Sequence, residues 1–339
     1  MPPPPRVTGK LNVMKVLFIG GTGQISFDCV HEAVRAGHEV YVFNRGHHNA
    51  GLPPQTRFIL GDMNDDAAYG KLAEQHFDVI NQFRVFTPEQ LRRDLELFTG
   101  HCGQYLFIST ASAYQKPMRH HVITEDVPLE NPYWDYSRDK AACEAILIGQ
   151  SRLPYTIVRP SHTSRSKWTT AFGEGPEAVL RMLEGRPVLV PGDGTNLWTI
   201  TRGEDFAPPY VKLFGHAGAM NQAFHLTSDN AYMWNEIYRA IGRAVGVEQV
   251  ELVHVATDTI IRYHPPLRGP LLGDKTWSVL FDNRKITSVV GRFHCPTSLD
   301  QFMQRVASHF HREQAMAQRD PGLSAVIDRI ITEQQALGA

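Results

Sequence analysis

Lys15–Ser26 reads KVLFIGGTGQIS: an apolar run of strand length, a turn dense in glycine, then the start of an amphipathic stretch. A short apolar run that stops at glycine has the character of a buried strand. Past the turn, Ile25, Cys29, Val30, Ala33 and Val34 recur at helical spacing, and Gly37 supplies a stop. A strand that turns on glycines into a helix constrains the chain strongly, because it commits the segment to the first half of a βαβ unit.

The alternation continues. HEVYVFNRG, TRFILGDMND, FDVINQF, QYLFIST and YTIVRP have strand character, and helical patterns run through PEQLRRDLELFTG and the stretch around Lys140. Strands separated by helices imply an α/β class, a Rossmann-type doubly wound parallel sheet. After Pro160 the pattern loosens into helices and short strands, such as PEAVLRMLEG, PVLVPGDGT and VELVHV, which suits a smaller mixed α/β C-terminal substrate domain. The expected boundaries are 1–13 for a disordered proline-rich leader and 14–165 for the Rossmann domain, with 195–230 returning to it. The segments 166–194 and 231–339 are expected to form the substrate-binding part.

Bulk properties exclude several classes. Charged residues are 20% of the 339 and the formal net charge is −1, which removes a general electrostatic case for nucleic acid or an anionic membrane surface. No apolar run approaches the roughly 20 residues that span a bilayer, and the leader has no apolar signal region. Cys29, Cys102, Cys143 and Cys295 lie far apart with no CxxC pair, which fits a reduced, cytoplasmic enzyme.

The glycine turn parses as Gly21-x-Gly23-x-x-Ser26 or as Gly20-x-x-Gly23-x-x-Ser26. Either spacing points the helix N-terminus at a dinucleotide pyrophosphate, with Gly20, Gly23, Gln24 and Ile25 at the phosphates. Ser26 replaces the last glycine as a small packing variant, expected between the first helix and first strand. The second strand ends in Asn44-Arg45, where an acidic residue for the ribose of NAD is expected. Asn44 can bond the ribose hydroxyls and Arg45 a 2'-phosphate, which leans towards NADP without excluding NAD.

YSRDK places Tyr136 and Lys140 on one helical face. A phenol near its reference pKa of about 10 is a poor base at neutral pH, and a nearby ammonium favours its phenolate. Upstream, FISTASAY ends a strand with Ser109, Thr110 and Ser112, hydroxyls able to hold a substrate oxygen while the tyrosine moves its proton.

Taken together, the glycine turn, the hydroxyl-rich strand end and YxxxK resemble the short-chain dehydrogenase/reductase superfamily. GDMND, IVRP, PGDGT and TITRGEDFA resemble its extended branch, the NAD-dependent epimerase/dehydratase family, as far as about Ala207. The resemblance implies Tyr136 as acid/base, Lys140 as its electrostatic partner and Thr110 as the assisting hydroxyl. It also implies Asp62 at adenine, Asn81, Gln82 and Phe83 lining the cofactor cleft, and Pro160 to Thr163, with His162, beside the nicotinamide. The cofactor implied is NAD or NADP, tightly held. The Asp-Glu pair that hexose 4,6-dehydratases carry after the catalytic hydroxyl is here Ala111-Ser112, so a dehydratase would need its base elsewhere: Lys116, His120 or His162.

Arg165, Trp168 and Trp198 complete the candidate substrate contacts, with Ser112; Trp134, Trp168 and Trp198 could stack on a base or sugar, although buried tryptophans are more often core. The histidine pairs His47-His48 and His120-His121, and His309-x-His311 on an expected helix, have the wrong spacing for a metal, and none is expected. The expected function is transient oxidation of a sugar hydroxyl in a nucleotide sugar or nucleoside, ending in epimerisation or dehydration. A net NADPH-dependent reductase, a non-catalytic dinucleotide sensor and an RNA-binding relative are the alternatives. The expected partner is a small-molecule substrate, with no nucleic acid, no membrane, and a homodimer allowed.

Overall fold

The computed structural model describes residues 13–149 and 152–338. Apart from Val13, the leader assigned to 1–13 lies outside the described residues. The chain runs β1 (Lys15–Ile19), α1 (Ser26–Arg35), β2 (Glu39–Asn44), β3 (Arg57–Leu60), α2 (Asp66–Gly70), β4 (Phe77–Gln82), α3 (Pro88–Phe98) and β5 (Cys102–Ile108). It continues through β6 (Val122–Ile123), α4 (Asp135–Gly149), β7 (Tyr155–Pro160), β8 (His162–Ser164), α5 (Glu177–Leu183), β9 (Val188–Pro191), β10 (Leu197–Arg202), α6 (Gly203–Val211) and β11 (Gln222–Leu226). The rest is β12 (Ala231–Met233), α7 (Trp234–Ala244), β13 (Leu252–Val255), α8 (Thr257–Tyr263), α9 (Arg268–Pro270), β14 (Leu280–Phe281), α10 (Arg284–Val290), α11 (Leu299–Ala307), α12 (Arg312–Ala317) and α13 (Pro321–Gly338).

Seven parallel strands form the main sheet in the order β11-β7-β5-β4-β1-β2-β3. The strand order reverses between β1 and β4, so the crevice above their carboxyl ends is the place for a ligand. On one face, Cys29, Val30 and Ala33 of α1 pack with Phe206 and Tyr210 of α6 against Val16, Phe18 and Val42. On the other, Leu91 and Phe98 of α3 and Cys143 and Leu147 of α4 cover Leu17, Ile80 and Phe107. The expected Rossmann-type α/β fold is thus observed.

The division between the two parts is less simple than the expected boundaries. Within 195–230, α6 and β11 join the large sheet, but β10 pairs with β8 and β12 in a separate three-stranded sheet. From 231–339, α10 crosses back, burying Ile286 and Val290 in the Rossmann layer. Apolar residues at helical spacing do not say which sheet they cover. His309 and His311 lie between α11 and α12, not on a helix.

Two buried polar clusters fasten the layers. Arg159 of IVRP grips Glu144 of α4 through Nε (3.0 and 3.1 Å) and Nη2 (2.6 Å), and its Nη1 donates to the Tyr114 hydroxyl at 3.1 Å. On the far side, Asp94 of α3 accepts from Tyr69 (2.8 Å), Tyr105 (2.6 Å) and Gln82 (2.5 Å). Burial drives the Asp94 carboxyl up to about 6, against the pull of those three donors.

The fold holds that proton more tightly than the unfolded chain, where an aspartate titrates near 3.9. Stability is therefore lost as pH rises from about 4 to about 6, by an amount of order 2–3 kcal/mol, and is level above that. Urea unfolding across this window should show stability falling more steeply with pH in the natural protein than in Asp94→Asn; equal slopes would refute the assignment.

Candidate active site

A cleft of about 970 Å³ opens at the switch point. Its lining includes the expected Gly20, Gly23, Gln24, Ile25, Asn44, Arg45, Asp62, Phe83, Ser109, Thr110, Ser112, Tyr136, Lys140, Pro160 and His162. The glycine turn is shaped by sterics. Gly20 has φ +88°, and a Cβ there would stand 2.5 Å from Arg84 Cγ. A Cβ on Gly21 would lie 2.9 Å from Val42, so the close approach expected of the last glycine falls here instead.

Ser26 is buried and bridges the turn. Its hydroxyl donates to Gly20 O at 2.6 Å and accepts from Gly23 N at 2.9 Å. The Gly23 amide is thereby taken, but the α1 N-terminus itself has no side-chain cap, because the cap position is Ile25. Uncapped amides at a helix start, facing a cleft behind a glycine turn, fit a dinucleotide pyrophosphate. Beneath them, Ser109 Oγ is buried without a partner.

The residues at the second strand fit less freely. Asn44 spends its side chain on the local loop, accepting from Gly46 N (2.8 Å) and donating to Asn49 (2.7 Å), so one N–H remains for a ribose. Arg45 is exposed at the mouth beside His47 and His48. Asp62 accepts from Asn64 N at 2.9 Å. The Gln24 side chain reaches away from the turn to Ser166 N (2.9 Å) and Arg165 N (3.2 Å), tying it to the loop after β8.

Tyr136 lies between Trp134 and Phe86, with ring centroids at 5.0 and 6.4 Å. Burial pushes its phenol up to about 12; a hydrogen bond with Thr110 acts the other way, and the charge of Asp274 adds to the rise. Thr110 begins a chain of hydroxyls, 2.9 Å to Ser112 and 2.8 Å from Ser112 to Ser137, the residue after Tyr136. Lys140, expected as the electrostatic partner of the phenol, is bound to main chain in this arrangement. Its ammonium is bound by Val85 O (2.6 Å) and Ile108 O (2.7 Å), under the rings of Phe86 and Phe107, and burial lowers its pKa to about 7. Two of its three N–H groups are thus taken by main chain.

Seven expected contacts are placed elsewhere. Asn81 and Gln82 stand inside β4, where successive side chains face opposite layers. Asn81 bonds Tyr210 (2.7 Å) and Leu17 O (3.2 Å), and Gln82 joins the Asp94 cluster. Only Phe83, beyond the strand end, reaches the cleft. Trp168 and Trp198 are core, Trp198 stacked on Trp234 at 5.3 Å. Arg165 covers the Phe27 ring at 3.9 Å, outside the cleft lining. His120 is exposed and off the cleft, and Lys116 is buried behind it, donating to Tyr114 O at 3.2 Å.

Trp134 lines the cleft as a stacking candidate, and the structure adds Asp274 and Lys275 to the lining. Asp274 and Lys275 sit on a π-helical turn, Leu271–Lys275, within the C-terminal part. Their only trace in the sequence is two adjacent charges in the apolar stretch PLLGDKTWSV. His162 is cleft-lining, with Nε2 buried and unpartnered; burial and Lys275 hold its pKa near about 3, so the ring is neutral.

The fold is a Rossmann-type α/β sheet, and Thr110, Tyr136 and Lys140 line the cleft at its switch point. Residues 89–226, which hold Thr110, Tyr136 and Lys140 but not the glycine turn, match the NAD dependent epimerase/dehydratase family. A UDP-glucose 4-epimerase from Lactobacillus helveticus is 26% identical over 82% of this chain and 91% of its own. The chloroplast stem-loop binding protein of 41 kDa b from Arabidopsis thaliana is 24% identical over 71% of this chain and 65% of its own. The NAD complex of a dTDP-glucose 4,6-dehydratase from Bacillus anthracis shares the fold, with TM-score 0.68 and 18% identity over 89% of this chain and 98% of its own. The resemblance to the extended short-chain dehydrogenases/reductases, and to the epimerase/dehydratase family within them, is therefore borne out by sequence match and fold together. Among the described residues no helix is long and apolar enough to cross a membrane.

Ser26→Gly would restore the usual motif, yet it deletes both buried bonds of the hydroxyl. It should cost about 1–3 kcal/mol, as should Ser26→Ala. Denaturant midpoints of the two variants equal to that of the parent would show that the bridge carries no weight.

Proposed function

We propose that this chain is an NAD(P)-dependent enzyme that transiently oxidises a hydroxyl of a nucleotide sugar or nucleoside and ends in epimerisation or dehydration. The observation that carries this is the convergence of Thr110, Tyr136 and the uncapped α1 N-terminus on one cleft. The amides at the start of α1, with Gln24 and Ile25, would hold the pyrophosphate where Gly20 and Gly23 leave it room, Asp62 the adenine side, and Ser109, Pro160 and His162 the nicotinamide side. When bound, the oxidised nicotinamide supplies a hydride acceptor and a positive charge.

The chain's own part is proton handling. The Tyr136 phenolate takes the hydroxyl proton while Thr110 donates to the substrate oxygen and is itself oriented by Ser112 and Ser137. Burial opposes that phenolate, so it forms only with a positive charge beside it. Lys140, pinned under the cleft floor, orders the Val85 and Ile108 carbonyls and keeps one N–H for a ribose hydroxyl. Trp134 and Phe86 exclude water from the phenol.

The likeness to a stem-loop binding protein favours an RNA-binding reading, but the net charge of −1 and the assembled Thr110–Tyr136 pair speak for catalysis. The test is conversion of UDP-glucose, dTDP-glucose and adenosine, followed by mass spectrometry, with the co-purifying dinucleotide identified in the same preparation. Tyr136→Phe should lower turnover at least ~10²-fold without lowering the melting temperature. An unchanged rate in that variant, or RNA binding by a wild-type protein that converts nothing, would overturn the proposal.

A further inference from the structure

The proposed chemistry needs a second proton-transfer group once a ketone has formed, and the candidates read from the sequence do not serve. His120 is outside the cleft. The Lys116 ammonium is turned onto Tyr114 O, behind the wall. His162 is neutral and too weak a base. Asp274 is the carboxylate that the fold delivers instead.

Its placement is built, not incidental. Asn131 donates one N–H to Gly273 O at 2.6 Å and the other to Ser112 O at 2.7 Å, so the turn bearing Asp274 is bound to the strand end bearing Thr110. Gly273 fits flush on Trp134; a Cβ there would lie 2.6 Å from Trp134 Cβ. Gly269 fits the same ring, where a Cβ would lie 2.6 Å from Cδ1. The π-helical turn, a form frequent at functional sites, is thus clamped against the start of α4, two residues before Tyr136.

The charges around it are specific. Lys275 Nζ stands 3.5 Å from Asp274 Oδ2, and Lys116 acts on the same carboxyl from behind. Burial raises the carboxyl's proton affinity while the two lysines lower it. Asp274 and Tyr136 line the same cleft, and the charge of Asp274 raises the Tyr136 pKa.

We propose that Asp274 is a catalytic residue that removes the C–H proton next to the ketone, with Lys275 as its charge partner. This rests on the proposed oxidation of a sugar hydroxyl. The carboxylate takes the proton, and the C–H electron pair becomes the enolate double bond as the carbonyl pair moves to oxygen, held by Thr110 and Tyr136. The new carboxylic acid then returns the proton. Given to carbon on the other face of a turned intermediate, it yields an epimer. Given to a β-hydroxyl, it yields water and an alkene, the enolate electrons re-forming the ketone. Either route leaves Asp274 as it began.

The experiment is run on the full chain with its dinucleotide in D2O, using UDP-glucose, dTDP-glucose and adenosine as probes. Three quantities are read: deuterium entering the sugar, loss of water, and the near-ultraviolet band of reduced nicotinamide. Asp274→Asn should cut deuterium entry and water loss at least ~10²-fold while the reduced-nicotinamide band still rises. Quenching of tryptophan fluorescence by each probe, and the melting temperature, should match the parent. Tyr136→Phe should lose the band itself. If Asp274→Asn incorporates deuterium or loses water like the parent, or if the parent turns over with neither deuterium entry nor loss of water, the assignment of Asp274 falls while the oxidation can stand. If no probe raises the band in the parent, the oxidation falls and the assignment with it.

Discussion

The cleft depends on one buried amide. Asn131 uses both N–H groups of its side chain on main-chain oxygens of two distant segments, Ser112 at the end of the large sheet and Gly273 in the C-terminal part. Its own Oδ1 accepts from Tyr133 N at 3.1 Å, which fixes the approach to α4. Three walls are therefore joined with no donor or acceptor of the amide left over. A buried amide stripped of one partner leaves a carbonyl and an N–H uncompensated, so the cleft has little freedom to open at this seam.

That rigidity extends to the surroundings of the Tyr136 phenol. Tyr136 is wedged between two aromatic rings, and Lys140 is held by two main-chain carbonyls. Among the described residues, the side chains acting on the phenol are Thr110 and Asp274, neither of them positive. Under the proposed function the charge arriving with the cofactor would decide the protonation state, and the Thr110 hydroxyl chain would supply orientation.

Much of this was legible in the sequence, and the failures have a common cause. Strand-then-glycine-then-helix at Lys15–Ser26, and hydroxyls four residues before Tyr114, are local signals with a backbone reason, and the structure puts both at the crevice. Asn81 and Gln82 failed because a strand alternates faces, so being near the cleft along the chain is not facing it. Trp168 and Trp198 failed because large rings serve a core as readily as a ligand. Asp274 was illegible because no period marks it. It is brought to Tyr136 by pairing of segments more than a hundred residues apart, and the evidence for that lies in Asn131 and two flush glycines.

Ser26 shows how a departure from a motif can be read physically. The residue does not fill the role of the glycine it replaces, since the tight helix–strand approach is at Gly21 against Val42. Its hydroxyl instead stitches Gly20 O to Gly23 N across the turn. The stitch removes one amide from the set available to a pyrophosphate and leaves the others at the uncapped end of α1. A turn closed by its own serine is ordered in the fold itself, so a ligand seated there would have less ordering to do. With Gly23 N engaged, the donors left to a proposed pyrophosphate are those of the helix start.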